Sequence, residues 1–305
     1  MNWNGKTVLV TGGTGFIGAA LVRRLKDLEA NVVTLSRHAE GANAIQADLG
    51  DASSLSAALA GKTFDAVFHL AAAGVAPNKE KQTSLLHLNA EGTENLLRVL
   101  ESSPACPVVV AGSWTEYGRV STLPVSEDHP CQPESPYGIA KLASTLTARA
   151  WALRTKRAVT ILRFFNVYGA GESPHRLGPS VFKAFSAGRA PELSNPDQER
   201  DFVFIDDVLE ALLGAVDLEE HGLILNVGSG VRTTLAAYVT EMREAMQVDI
   251  PSQWGNAEPR PWDVPSMQAD VSRIKEKLGW TPHTSLSEGV RKAILGYTEA
   301  SKGTL

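Results

Sequence analysis

Tyr137 and Lys141 stand four residues apart, downstream of Ser113. At that spacing a phenol and an amine share one face of a helix. A phenol ordinarily keeps its proton until about pH 10. To be half ionised at neutral pH its pKa must fall by roughly 3, which is about 4 kcal/mol. A cation about 4 Å away, at an effective dielectric near 20, supplies about 4 kcal/mol. Lys141 is therefore enough to make Tyr137 a proton donor or acceptor at neutral pH. Such pairs are common on surfaces by chance, and this one takes its meaning from the start of the chain.

Lys6 to Thr11 reads KTVLVT, a β-branched and apolar run suited to a buried parallel strand. Gly12-Gly13-Thr14-Gly15-Phe16-Ile17-Gly18 follows at once, and Phe16, Ile17, Ala20, Leu21, Arg24, Leu25 and Leu28 recur with helical period. Strand, glycine turn and helix aim backbone N–H groups and a helix N-terminus at a pyrophosphate. Gly12 allows the tight turn, Gly15 the close approach of phosphate beside Phe16 and Ile17, and Gly18 close helix packing. The second strand, Asn31 to Leu35, ends in Ser36-Arg37-His38. NAD sites place a carboxylate about 20 residues beyond the glycines. Here a small hydroxyl and a guanidinium stand instead, which suits a 2′-phosphate. The expected cofactor is NADP(H); NAD(H) is the alternative if Arg37 is an ordinary solvated arginine. Asp48, with Leu49 beside it, follows the next short strand and is placed to accept from the adenine amino group, unless it is a plain loop carboxylate.

The length of 305 residues suits a nucleotide-binding domain with a smaller appendage. A net charge of −5 argues against nucleic acid as a partner. Cys106 and Cys131 show no metal-ligand spacing or disulfide framework, and His69, His87, His129 and His175 suggest no metal site. MNWNGKTVLV lacks a signal-peptide pattern and no apolar run reaches membrane-spanning length, so a cytoplasmic protein with no membrane partner is expected. Further strands are expected at 65–70, 107–111 and 159–163, and helices near 53–59, 89–101 and 136–154. That alternation predicts an α/β fold, a doubly wound parallel sheet of Rossmann type with ligands at its C-terminal strand ends. Beyond Asn166 the pattern loosens at Gly169-Ala170-Gly171, Pro174, Pro179 and Arg260-Pro261-Trp262-Asp263-Val264-Pro265. The expected division is an NADP(H)-binding domain over 1–165, with a return segment near 201–230, and a smaller C-terminal substrate-binding lobe over 166–200 and 231–305.

Nine short stretches then fall in a familiar order. They are TGGTGFIG (11–18), HLAA (69–72), NAEGTENLL from Asn89, AGSWTEYG around Ser113, PYGIAK (136–141), RFFNVYGAG (163–171), RDFVFIDDV (200–208), NVGSG (226–230) and LGWTP (278–282). Nearly end to end, the chain resembles the extended short-chain dehydrogenase/reductases, in their nucleotide-sugar epimerase, dehydratase and reductase branch. The resemblance implies that Tyr137 exchanges a proton with a sugar oxygen while hydride moves to or from the attached carbon. It implies that Lys141 binds the nicotinamide ribose and lowers the Tyr137 pKa, and that Ser113 hydrogen-bonds the same sugar oxygen. Asn89 would support the site through backbone and water contacts, and Ala71 and Ala72 would line the nicotinamide. Asn166 would contact the substrate near its diphosphate, Arg200 and Arg260 would grip that diphosphate, and Asp263 would bind the nucleotide ribose. Ser113 and Asn166 could instead be turn residues, and Arg200 could pair with Asp201 or Asp206. Trp114 and Trp262 could be core or could stack on the base.

The 4,6-dehydratases of this branch resemble one another in an Asp-Glu pair directly after the catalytic hydroxyl residue. The fucose-synthase type carries a Cys two residues after it. Trp114 and Thr115 stand at those places here, and Glu116 is one position off. Two reactions remain. One is an NADPH-dependent reduction of a nucleotide-diphosphate 4-keto-6-deoxy sugar, which Ser36 and Arg37 favour. The other is an NAD(P)-dependent 4-epimerase that oxidises, rotates and re-reduces its substrate. A non-catalytic NADP(H)-binding protein is the remote alternative. Relatives pair two long helices across a symmetric interface, so a homodimer is expected through Leu96, Leu97, Val99, Leu100, Leu142, Leu146, Ala150 and Leu153.

Overall fold

The computed structural model describes residues 1–38, 41, 43–74, 82–255 and 262–303. β1 (Thr7–Thr11) is almost wholly buried, as suits a β-branched run covered on both faces. α1 (Phe16–Asp27) follows and turns Gly18, Ala20, Leu21 and Leu25 inward. β2 (Asn31–Ser36), β3 (Ala44–Gln46), α2 (Ala52–Leu59) and β4 (Ala66–His69) continue the alternation. The next helical stretch starts before the expected residue 89: α3 (Gln82–Leu86) runs through a π turn (His87–Glu91) into α4 (Gly92–Glu101). β5 (Val108–Ser113) comes next, then α5 (Pro136–Thr155), where Ser135 caps the helix by accepting from the Gly138 N–H. β6 (Val159–Phe164) is buried throughout. The described chain ends with β7 (Asn166–Tyr168), α6 (Leu177–Ser186), β8 (Glu192–Leu193), β9 (Glu199–Phe204), α7 (Ile205–Ala215), β10 (His221–Val227), β11 (Arg232–Thr234), α8 (Leu235–Ala245), β12 (Gln253–Trp254), α9 (Ser272–Leu278) and α10 (Leu286–Ser301).

Among the described residues seven strands form one parallel sheet in the order β10-β6-β5-β4-β1-β2-β3. The chain runs from β1 to β2 and β3 on one side, then crosses to β4, β5 and β6 on the other. The switch falls between β1 and β4, where ligands enter such sheets at the C-terminal strand ends. The register lines those ends up: Thr11 lies opposite Leu35 and His69, and Ser113 lies opposite Phe164. Val8 and Val10 join the apolar cluster on one face of the sheet, while Leu9 joins the cluster with Leu35, Val67 and Leu97 on the other. That split is the two-residue period of a strand.

The apolar residues of α4 and α5 divide differently from the expectation. Leu96, Leu97 and Leu100 pack into the chain's own core, and the outer face of α4 carries the Glu94–Arg98 ion pair. Leu146 and Leu153 of α5 are about half exposed, at 51% and 48%. The α4 leucines are therefore spent on the fold, because β-sheet packing claims the apolar stripe of that helix. No described helix is long and apolar enough to cross a membrane.

Candidate active site

The turn after β1 is shaped for close approach. Gly12 has φ +73°, and a Cβ there would stand 2.6 Å from the Ala71 nitrogen. A Cβ on Gly18 would stand 2.1 Å from the Gly12 carbonyl oxygen, so only glycine lets α1 begin this close to β1. Gly15 is the N-cap of α1; no side chain caps that helix and no acid lies in its first turn. The leading N–H groups at Phe16 and Ile17 are thus left to an anion, which fits the pyrophosphate of a dinucleotide.

At the end of β2 the Ser36 hydroxyl donates to the His38 carbonyl at 2.8 Å, and Arg37 is exposed. Asp48 reaches the same corner, because the Ala47 N–H donates to the Ser36 carbonyl at 3.1 Å. Its Oδ1 accepts from the Gly50 N–H at 2.9 Å, and the Leu49 carbonyl accepts from Asn95 at 2.9 Å. Ala71 and Ala72 follow β4. The Ala71 N–H donates to Thr11 Oγ1 at 3.3 Å. Asn89, in the π turn, accepts from the Ala73 N–H at 3.1 Å and donates to the Ala73 and Leu85 carbonyls at 3.2 and 2.9 Å. Asn89 therefore braces the 71–73 loop through backbone.

Beneath that loop His69 bridges Thr11 Oγ1 at 2.7 Å and Thr93 Oγ1 at 2.9 Å. Thr93 donates its proton to the Asn89 carbonyl at 2.5 Å, so His69 Nε2 must donate to Thr93 and Nδ1 must accept from Thr11. Burial pushes His69 down to about 3, which leaves the ring neutral.

β5 delivers Ser113 to the C-terminal edge of the sheet, and the first turns of α5 deliver Tyr137 and Lys141 beside it. A Cβ on Gly138 would lie 2.5 Å from the Thr115 carbonyl oxygen, so glycine lets α5 press on the turn after Ser113. Ser113 Oγ lies 2.8 Å from Thr115 Oγ1, and the Ser113 hydroxyl also draws the Tyr137 pKa down by hydrogen bonding. The Lys141 amine is buried and donates to the Ala111 carbonyl at 2.5 Å. Desolvation governs both titrating groups: it pushes Tyr137 up to about 12 and Lys141 down to about 8. The cation that pulls Tyr137 back is Arg176, at the start of α6. The lowering expected from Lys141 at i+4 is thus not what this structure shows, because its amine is turned to Ala111 and burial of the phenol dominates.

Glu116 turns away from the pocket and is wholly buried. Its Oε1 accepts from the Ser113 N–H at 2.8 Å and from the Thr145 hydroxyl at 3.0 Å, and its Oε2 pairs with Arg163 Nε at 2.8 Å. It is not placed to handle an elimination of water.

On the substrate side, Asn166 opens β7 with a buried Oδ1 that has no hydrogen-bond partner among the described residues. A buried acceptor left so costs about 1–3 kcal/mol, which a ligand donor would relieve. Arg200 is 6% exposed. Its NH1 donates to the Glu199 and Val264 carbonyls at 2.8 and 2.9 Å, and its NH2 lies 3.9 Å from Asp263 Oδ1. Its guanidinium stands 5.6 Å from the Trp114 ring centre. Asp201 is held instead by the N–H groups of Ser229, Gly230 and Ala269. Arg200, Asp263 and Trp114 therefore form one wall beside Ser113, with Trp262 41% exposed nearby in sequence to Asp263. Arg260 lies outside the described residues. Arg176 carries no motif that points to the site, and Arg163 opens RFFNVYGAG without a role read from it; the pairing with Glu116 brings Arg163 to the site.

Residues 8–228 match the NAD dependent epimerase/dehydratase family. The chain is 31% identical to the UDP-glucose 4-epimerase of Mycolicibacterium smegmatis over 94% of this chain and 96% of that one. It is 29% identical to the UDP-glucose 4-epimerase of Azospirillum brasilense over 95% and 91%. Its fold superposes on MoeE5 in complex with UDP-glucose and NAD with a TM-score of 0.86, at 34% identity and coverage of 97% and 99%. It superposes on the UDP-glucose 4-epimerase of Thermotoga maritima with UDP-glucose with a TM-score of 0.89, at 27% identity and the same coverage of 97% and 99%.

Proposed function

This chain belongs to the NAD dependent epimerase/dehydratase family, and we propose that within it the protein is a 4-epimerase of UDP-hexoses. The observation that carries this reading is the single set Ser113, Tyr137 and Lys141 at the sheet edge, with Glu116 withdrawn into an ion pair. Oxidation and its reversal at one carbon need one proton-transfer group, whereas elimination needs further carboxyls. The similarity to UDP-glucose 4-epimerases supports the same reading.

A dinucleotide would supply the hydride acceptor and donor, held at Gly12, Gly15 and the start of α1 and flanked by Ala71, Ala72 and Asn89. Tyr137 takes the proton from the C4 hydroxyl while Ser113 holds the same oxygen. Lys141, one helical turn away, would bind the nicotinamide ribose, while the cation that draws the Tyr137 phenol down is Arg176. Asn166, Arg200, Arg260 and Asp263 hold the UDP moiety, which leaves the 4-keto sugar, trigonal at C4, free to turn its other face to the cofactor. Tyr137 then returns the proton. In this reading residues 1–165 and the return segment near 201–230 serve the cofactor, and 166–200 and 231–305 serve the sugar nucleotide. A homodimer would use the exposed face of α5 at Leu146, Ala150 and Leu153.

A second reading rests on Ser36 and Arg37, where no carboxylate stands against a 2′-phosphate. They support NADP(H), and with it the reductase of a nucleotide-diphosphate 4-keto-6-deoxy sugar. The test is incubation with UDP-glucose and a trace of NAD or NADP. Appearance of UDP-galactose with no net change in cofactor supports the epimerase. Consumption of one NADPH per 4-keto-6-deoxy sugar, with no epimer formed from UDP-glucose, replaces it with the reductase.

A further inference from the structure

Glu116 and Arg163 have side-chain exposures of 0% and 2% and meet at 2.8 Å. Apolar residues of similar volume are often as stable as such a buried pair, so fold stability alone does not explain it. Glu116 Oε1 joins two elements of the site. It accepts from the backbone of Ser113 at the end of β5 and from Thr145 on α5, the helix that carries Tyr137 and Lys141. The Ser113 hydroxyl in turn accepts from the Thr115 N–H at 3.2 Å, closing a capping box. Arg163 fixes the carboxylate from behind, with its guanidinium 4.6 Å from the Tyr117 ring centre and NH2 3.2 Å from Cys131 Sγ.

We propose that Glu116, held by Arg163, is a positioning residue of this active site: it fixes Ser113 against Tyr137 and ties the end of β5 to the helix that carries Tyr137 and Lys141. This rests on the proposed roles of Ser113, Tyr137 and Lys141. Lys141 interacts with Glu116, with His69 from β4 and with the Ala111 carbonyl from β5. Tyr137 is faced by Glu116, by Ser113 and by Arg176 from α6. Glu116 raises the pKa of both. Without its charge both fall, so the limbs of the pH profile that these two groups set move together to lower pH.

The experiment compares wild type with Glu116→Gln and with the double variant Glu116→Val, Arg163→Met, which removes both members of the buried ion pair if the single variant fails to fold. Lys141 is titrated by NMR of isotope-labelled lysine without added ligand, and kcat is followed against pH with UDP-glucose. Lys141 is expected to titrate about one pH unit below its wild-type value. The kcat profile is expected to move to lower pH, and kcat to fall about tenfold or more with KM changed less than about threefold. A Lys141 titration unmoved in the folded variants, or a kcat lowered by one factor at every pH, overturns the proposal. A wild type that does not turn over UDP-glucose overturns the epimerase reading instead, and the Lys141 titration still decides the role of Glu116.

Discussion

Lys141 carries its charge where charge is resisted. It is 3% exposed, and burial pulls its pKa from 10.5 to about 8 against the raising effect of Glu116. A base whose folded pKa lies below its unfolded one weakens the fold. Below about pH 8 both states hold the proton and the penalty is full; above 10.5 neither does and the penalty is gone. The gap between the two values corresponds to about 3 kcal/mol. Lys141→Met removes the charge at similar length and also removes the donor to the Ala111 carbonyl. The packing part of that loss does not vary with pH, so it cancels when variant and wild type are compared across a pH series. Urea unfolding without cofactor is expected to show the stability difference moving by about 3 kcal/mol in favour of wild type between about pH 7 and pH 10.5. The variant is therefore relatively most stable at neutral pH, where it is also expected to lose most of its turnover. A stability difference that stays flat over this range means that Lys141 titrates as an exposed amine, and the burial account of the site fails.

Tyr137→Phe is expected to fold and bind dinucleotide but lose most turnover, since only the proton-transfer group is gone; near-normal activity rejects the assignment. Arg37→Ala is expected to weaken NADPH binding with little effect on NADH, and Ser36→Asp to move preference towards NADH, both read by fluorescence titration. Equal NADPH affinity in wild type and Arg37→Ala sinks the 2′-phosphate reading. Arg200→Ala is expected to weaken UDP binding by about ten- to a hundredfold, the worth of one charge-assisted contact. If calorimetry shows UDP affinity unchanged while the melting temperature drops, Arg200 is only a strut between Glu199 and Val264. Wild type is expected to sediment as a dimer at micromolar concentration, and Leu146→Glu with Leu153→Glu as a monomer; a monomeric wild type rejects the α5 interface.

What is legible in this sequence is what sterics and spacing decide locally. Gly12 and Gly18 are forced, because a side chain on Gly18 would meet the Gly12 carbonyl only six residues back in the chain. Tyr137 and Lys141 are legible because helical spacing alone puts them on one face. The start of the helix at Gln82 is not legible, because α3, the π turn and α4 join with no capping signal between them. β10 falls in the return segment expected near 201–230, but its place is not legible: HGLILNV comes late in the chain and forms the sheet edge by pairing with β6. The direction a buried polar side chain takes is the least legible feature. Glu116 looks from its spacing like a displaced elimination acid, one position beyond where that chemistry would want it. Its partner Arg163 lies 47 residues away, on β6, whereas Glu116 sits in the turn after β5. The two meet because the β5–β6 register sets Gly112 opposite Arg163, and a Cβ on Gly112 would stand 3.0 Å from both Arg163 Cγ and Glu116 Oε1. Ser113 can thus be read from its motif, while the group that holds it follows from a strand register and an absent side chain, which no local spacing encodes.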